Sequence, residues 1–121
     1  MSAPTWIAVA LVGGAGAIAR FLLDGAVSGR VASRFPIGTF VVNISGALVL
    51  GLLTGLALTG DALVIAGTAT IGSYTTFSTW MLESQRLAED AEVATMALNL
   101  TLSLAAGVGA VTLGRLIGAH L

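Results

Sequence analysis

The sequence predicts an all-α integral membrane protein of four transmembrane helices, with a break in the third. Hydrophobic residues make up 56% of the 121 residues and charged residues only 9%. The mean hydropathy of +0.99 lies outside the range of a soluble domain. Uncharged runs extend over Met1–Ala19, Phe35–Gly60, Ala62–Leu82 and Val93–Gly114, each near the roughly 20 residues that carry a helix across about 30 Å of hydrocarbon. The break is predicted by "GTATIGSYTTFSTWMLE" (Gly67–Glu83), where seven Ser and Thr hydroxyls and two glycines sit at membrane depth.

Helix one is expected from about Trp6 to Asp24. It reads as a retained helix rather than a signal peptide, because no Lys or Arg precedes its apolar part and Gly13, Gly14 and Gly16 interrupt it. "GAVSGRVASRFP" (Gly25–Pro36) then reads as a connection, with Pro36 where a first-turn proline is tolerated. Helix two follows, to about Leu58. "TGD" (Thr59–Asp61) reads as a tight turn with Asp61 suited to cap helix three. "ESQRLAEDAE" (Glu83–Glu92) carries most of the acidic charge and leads into helix four. Residues 1–121 form one transmembrane domain in this reading.

Composition removes several function classes. With no cysteine and a single histidine, His120, neither thiolate metal sites nor histidine-based catalysis is expected. A net charge of −1 offers no basic surface to nucleic acid.

Crossing four times puts the N-terminus, Asp61 and the C-terminus on one side and Arg30, Arg34 and Arg86 on the other, with Arg115 toward the first. Counting Arg20 near the end of helix one, the bias is about two or three arginines, so orientation is weakly specified. Lipid is as apolar as leucine, so small residues that allow close backbone approach must hold the helices together. Sixteen glycines fit that need: Gly51 and Gly55 form a GxxxG pair, and Gly38 and Gly46 are expected toward one face of helix two. A 12.1 kDa subunit has little interior of its own, which predicts a dimer.

Non-helical backbone at membrane depth survives only when buried in protein or lining water. Gly72 costs about 1 kcal/mol of helix propensity relative to Ala, and the hydroxyls of Thr75, Thr76 and Thr79 compete for backbone groups. In the plainer reading these hydroxyls bond i−4 carbonyls within an ordinary helix.

Three stretches, "GGAGAIARF" (Gly13–Phe21), "PIGTFVVNISG" (Pro36–Gly46) and "GSYTTFSTWMLE" (Gly72–Glu83), resemble the signature stretches of the small bacterial fluoride channels, the Fluc or CrcB family. They stand in the family's order, and the resemblance spans essentially the whole chain. It implies an antiparallel dimer in the bacterial plasma (inner) membrane, with two fluoride pores along the subunit interface. A structural Na+ at the dimer centre is also implied, held by the backbone carbonyls of Gly72 and Thr75. The helix would then be broken so that its carbonyls face an ion, as in carbonyl-lined filters.

Fluoride is strongly hydrated, so a selective path must offer hydrogen-bond donors that replace water without holding the ion. Thr39 and Asn43 share a face of helix two, and Asn43 brings two N–H donors. Asn99 and Ser103 repeat that spacing on helix four, continuing to Gly107. For both asparagines the alternative is a hydrogen bond that joins helices. The resemblance places Phe77 and Trp80 at the family's paired phenylalanines, whose electropositive ring edges face the anion. Trp80 departs from the usual Phe; it offers an edge or its indole N–H, and its size narrows the path. Ser78 and Thr79 match the polar vestibule, Arg20 matches the helix-one arginine, and Glu83 is expected to be structural.

These residues point to a passive fluoride channel without enzymatic activity. The competing class is a small proton-coupled multidrug-type exporter, which needs a carboxylate within the bilayer, and none lies in the four runs. A heterodimer with a related subunit is the alternative to a homodimer.

Overall fold

The structure, a computed structural model, describes residues 1–121. It is all-helical: α1 (Ala3–Arg30), α2 (Ile37–Gly55), α3 (Gly60–Leu63), a π-helical stretch (Val64–Ile71), α4 (Gly72–Tyr74), α5 (Ser78–Glu89) and α6 (Val93–Ala119). Three helices, α1, α2 and α6, are long and apolar enough to cross a membrane, and the chain is a multi-pass membrane protein.

Ser2 caps α1 by accepting from the Thr5 N–H, and Pro4 sits in the first turn, where its missing donor costs nothing. The helix continues to Arg30, so the connection expected from Gly25 begins only at Val31. Packing on α2 outweighs the local glycines: a Cβ on Gly38 would collide with Asp24 and Ser28, and Ser28 Oγ donates to Asp24 Oδ1 at 3.1 Å. Pro36 stands just before α2 rather than inside its first turn.

The most extensive helix pairing joins α2 to α6. Two GxxxG pairs make it. A Cβ on Gly51 or Gly55 would strike the carbonyls of Val111 and Arg115, and one on Gly114 or Gly118 those of Leu48 and Leu52. Backbone thus lies directly on backbone, the small-residue packing that membranes favour. Gly38 and Gly46 serve different neighbours, α1 for the first and Tyr74 and Thr75 for the second. Beyond Gly55 the chain turns at Ala57, whose φ of 57° is left-handed, and α2 ends short of Leu58.

The third expected helix is in pieces. Thr59 precedes α3 without a side-chain cap, and Asp61 does not cap it either; its carboxylate accepts from Thr5 Oγ1 at 2.7 Å. In the π-helical stretch, Thr70 Oγ1 donates five residues back to the Ile65 carbonyl at 2.8 Å, in keeping with the π geometry. Gly16 allows α1 to approach here, since a Cβ would come within 2.7 Å of the Thr70 carbonyl. Regular helix stops at Tyr74, with Thr75 extended at φ −79°, ψ 159°, and resumes at Ser78. The segment runs the length of α1: Asp61 meets Thr5 at one end, and the arginine beyond the far end of α1, Arg34, pairs with Glu92. Residues 87–92 close α5 in a Schellman turn, with Ala91 left-handed at φ 58° and the Glu92 N–H on the Leu87 carbonyl at 2.8 Å.

Only 16 of 121 residues are buried, and the apolar ones among them are Val42, Ala69, Ile71, Leu87 and Ala110. Such an interior leaves Leu11, Ile18, Phe21 and Leu104 on the outer surface.

Candidate functional site

The break is held open by α2. Asn43 Nδ2 donates to the Thr76 carbonyl at 2.9 Å, while the Thr76 N–H donates to Asn43 Oδ1 at 2.8 Å. One side-chain amide thereby satisfies both backbone groups of a residue outside any helix, as non-helical backbone at membrane depth requires. Two backbone donors are diverted at the break. A continuous helix would aim the Thr76 N–H at the Gly72 carbonyl and the Thr79 N–H at the Thr75 carbonyl. The first goes to Asn43 and the second to Thr76 Oγ1 at 3.2 Å. The carbonyls of Gly72 and Thr75 therefore lose their helical donors, and Gly72 is solvent-exposed in the single chain.

One turn before Asn43, Thr39 Oγ1 donates to Glu83 Oε1. Tyr74 adds a hydroxyl contact to Ser45 at 2.9 Å. Thr39, Asn43 and Ser45 thus join α2 to both sides of the break.

Two hollows flank this seam. A groove of about 310 Å³ brings together Asn43, Thr76, Phe77, Trp80, Ser103 and Gly107 along with Thr75 and apolar neighbours. A smaller one of about 150 Å³ brings together Arg20, Asp24, Thr39, Thr76 and Thr79 with Phe21 and Val42. Thr76 lines both, and Val42, in the wall of the second, is wholly buried. The first is apolar-walled with a few donors and two aromatic rings; the second is polar, with Arg20 and Asp24 one turn apart and no ion pair between them.

Within the groove Phe77 is 71% exposed and meets Trp80 edge to face, with centroids 5.7 Å apart at 74°. Ser78 lies exposed outside both hollows, its hydroxyl 3.5 Å from Thr76 Oγ1. Asn99 also lies outside them. It is 1% exposed, donates from Nδ2 to Ser84 Oγ at 2.9 Å and accepts from Ser103 Oγ at 3.4 Å, an arrangement that joins α5 to α6.

Sequence reasoning missed Thr76, Glu83 and Ser84 as members of the site. Thr76 stood in the quoted motif and carried a visible hydroxyl. No spacing rule connects Thr39 to Glu83, which are 44 residues apart. Ser84 was legible only as a small polar residue amid the acidic stretch.

Residues 7–115 match the family described as "CrcB-like protein, Camphor Resistance (CrcB)". The chain is 51% identical over 110 residues, 91% of its length and 90% of the relative's, to a protein of Mycolicibacterium paratuberculosis named "Fluoride-specific ion channel FluC 2". It is 52% identical to one of the same name from Mycobacterium tuberculosis, covering 93% of this chain and 89% of the other. To "Fluoride-specific ion channel FluC 1" of Symbiobacterium thermophilum it is 39% identical, over 94% of this chain and 97% of that one.

Proposed function

The chain belongs to the CrcB-like family, and from that membership we propose that it forms a fluoride-selective channel through which cytoplasmic fluoride leaves the cell passively, which limits its toxicity. It is a channel subunit and not an enzyme. The observation that carries the reading is the pair of hollows meeting at Thr76, one lined by Asn43 and two aromatic rings, the other by a guanidinium and threonines. An anion passing from the Arg20 side would lose water gradually to the guanidinium and to the Thr79 hydroxyl, while Thr39, its own O–H held by Glu83, forms part of the wall. It would then be offered the free Asn43 N–H and the ring edges of Phe77 and Trp80, and beyond them Ser103. The Ser103 hydroxyl rests on Asn99 Oδ1 at 3.4 Å and would turn from it to donate to the ion, and Ser78 stands at the mouth.

Residues 60–89 supply the fourth crossing in this reading, which the contacts of Asp61 and Glu92 at opposite ends of the molecule support. The groove is open along one side and closes as a pore when a second, antiparallel copy covers it. The carbonyls of Gly72 and Thr75 then point at their counterparts, and four hard oxygens would hold a Na+ at the centre. The two diverted amides, which deprive these carbonyls of helical donors, support that assignment. Bound there, the ion supplies positive charge that ties the two breaks together.

The numbered names FluC 1 and FluC 2 of the relatives favour a second reading, in which the antiparallel partner is a related subunit with the opposite orientation bias.

Liposomes loaded with fluoride or with chloride test the channel. The purified protein is expected to release fluoride rapidly, chloride far more slowly, and neither in proportion to a proton gradient. Equal rates for the two anions, or strictly proton-driven release, overturn the proposal.

A further inference from the structure

We propose that Trp80 is a positioning residue, locked to α6 by a closed hydrogen-bond circuit through Asn99 and Ser84, and that this lock sets the bore of the fluoride path; the proposal rests on the channel reading above.

The circuit begins and ends on Trp80. Its indole Nε1–H donates to the Asn99 carbonyl at 3.3 Å. The Asn99 side chain donates from Nδ2 to Ser84 Oγ at 2.9 Å, and Ser84 Oγ donates to the Trp80 carbonyl at 2.8 Å. Asn99 is 1% exposed and Ser84 5% exposed, so the bond between them is closed to water, while the two bonds made by Trp80 are part-buried. An indole carries one donor and no acceptor, and here that donor is committed. Trp80 therefore has no N–H left for a passing anion and contributes only its ring. A carbonyl already within a helix retains a second lone pair, which is how Asn99 accepts the indole without loosening α6.

The consequence falls on Phe77. The two rings meet edge to face in the groove, so fixing one ring limits the rotation of the other. A phenylalanine at position 80, which the resemblance makes usual, has no N–H and cannot close the circuit. The substitution thus gives the pore a fixed, bulkier wall. Elsewhere α5 has few packing partners on α6, and the circuit supplies the register that packing does not.

The test uses the full protein with Trp6→Phe, which leaves Trp80 as the single indole of the two in the sequence. Fluoride efflux from liposomes and the fluorescence anisotropy of Trp80 are measured in this parent and in Ser84→Ala and Ser84→Thr. Efflux is also measured in Trp80→Phe and in the double variant Trp80→Phe/Ser84→Ala. Ser84→Ala and Trp80→Phe are each expected to raise efflux about fivefold, the factor that one lost hydrogen bond represents. The double variant should match Trp80→Phe alone, because the two act through one circuit. Anisotropy should fall in Ser84→Ala and return with Ser84→Thr, which restores the hydroxyl. Additive increases, or unchanged anisotropy in Ser84→Ala, overturn the lock. Should alanine prevent folding, Ser84→Cys keeps the volume with a weak donor and is judged by the same readings. A parent that passes no fluoride overturns the channel reading instead, and anisotropy alone then decides the lock.

Discussion

Asn43 holds the break and, in the proposed pore, also meets the ion, so Asn43→Ala strikes both tasks at once, whereas Phe77→Ile strikes the pore alone. Its amide pairs both backbone groups of Thr76, and leaving such groups unpaired away from water costs roughly 1–3 kcal/mol each. Asn43→Ala is therefore expected to lower the thermal midpoint of the purified protein as well as to abolish fluoride flux. Phe77 is 71% exposed in the single chain and holds nothing together there. Phe77→Ile should abolish or greatly slow flux in the liposome assay while leaving the melting temperature of the detergent-purified protein unchanged. Normal conduction in both variants would remove these residues from the pore. Thr39 shows the same economy of position: one turn from Asn43, it carries its hydroxyl to Glu83 across the seam.

Among the elements, α2 and α6 depend on glycines facing each other's backbone, whereas the broken segment is met by single glycines of α1 and α2, Gly16 and Gly46. Gly51, Gly55, Gly114 and Gly118 each place missing side-chain volume against a backbone carbonyl of the opposite helix. Rigid backbone cannot yield, so Gly114→Ala must push the helices apart, at a cost of about 1–3 kcal/mol or more. Gly109 and Gly14 have nothing within 4 Å of an added Cβ, and alanine there should be tolerated. Size-exclusion profiles after a heating series distinguish the two groups: Gly114→Ala is expected to lose its monodisperse peak at a lower temperature, and Gly109→Ala to keep it. An equal loss in both would mean that the α2–α6 seam is not what holds the subunit together. The π-helical stretch meets α1 at Gly16 through the same kind of approach, there to a single carbonyl.

At the scale of the whole molecule, the proposed antiparallel homodimer would need a chain with little preference for either orientation. Arg30 and Arg34 stand at one end, where Arg34 pairs with Glu92. Asp and Glu count for little in membrane insertion, so two or three arginines remain a small preference. Ser33→Cys places a label in the connection between α1 and α2. In cells expressing this gene alone, labelling from both membrane faces is the expected result for an antiparallel homodimer. Labelling from one face only, with no fluoride efflux, would show instead that a related subunit is required.

The sequence by itself determined the membrane class, the family and the place of the break. Those properties rest on composition, on run length and on local motifs, which need no knowledge of what lies across the fold. Hydropathy marked α1, α2 and α6, and the hydroxyls about Gly72 marked the interruption that falls at Thr75–Phe77. Tertiary structure decided the rest. The extension of α1 to Arg30 depends on Gly38 of α2, the capping of Thr76 on Asn43, the burial of Asn99 on Ser84, and the fate of Asp61 on Thr5. The last three pairs join residues 33, 15 and 56 positions apart, and Gly38 lies on a different helix from the residues it meets, so all are beyond the reach of helical periodicity. Within a membrane a polar group's role is set by whichever partner is close enough to satisfy it, and only the packed helices specify that partner.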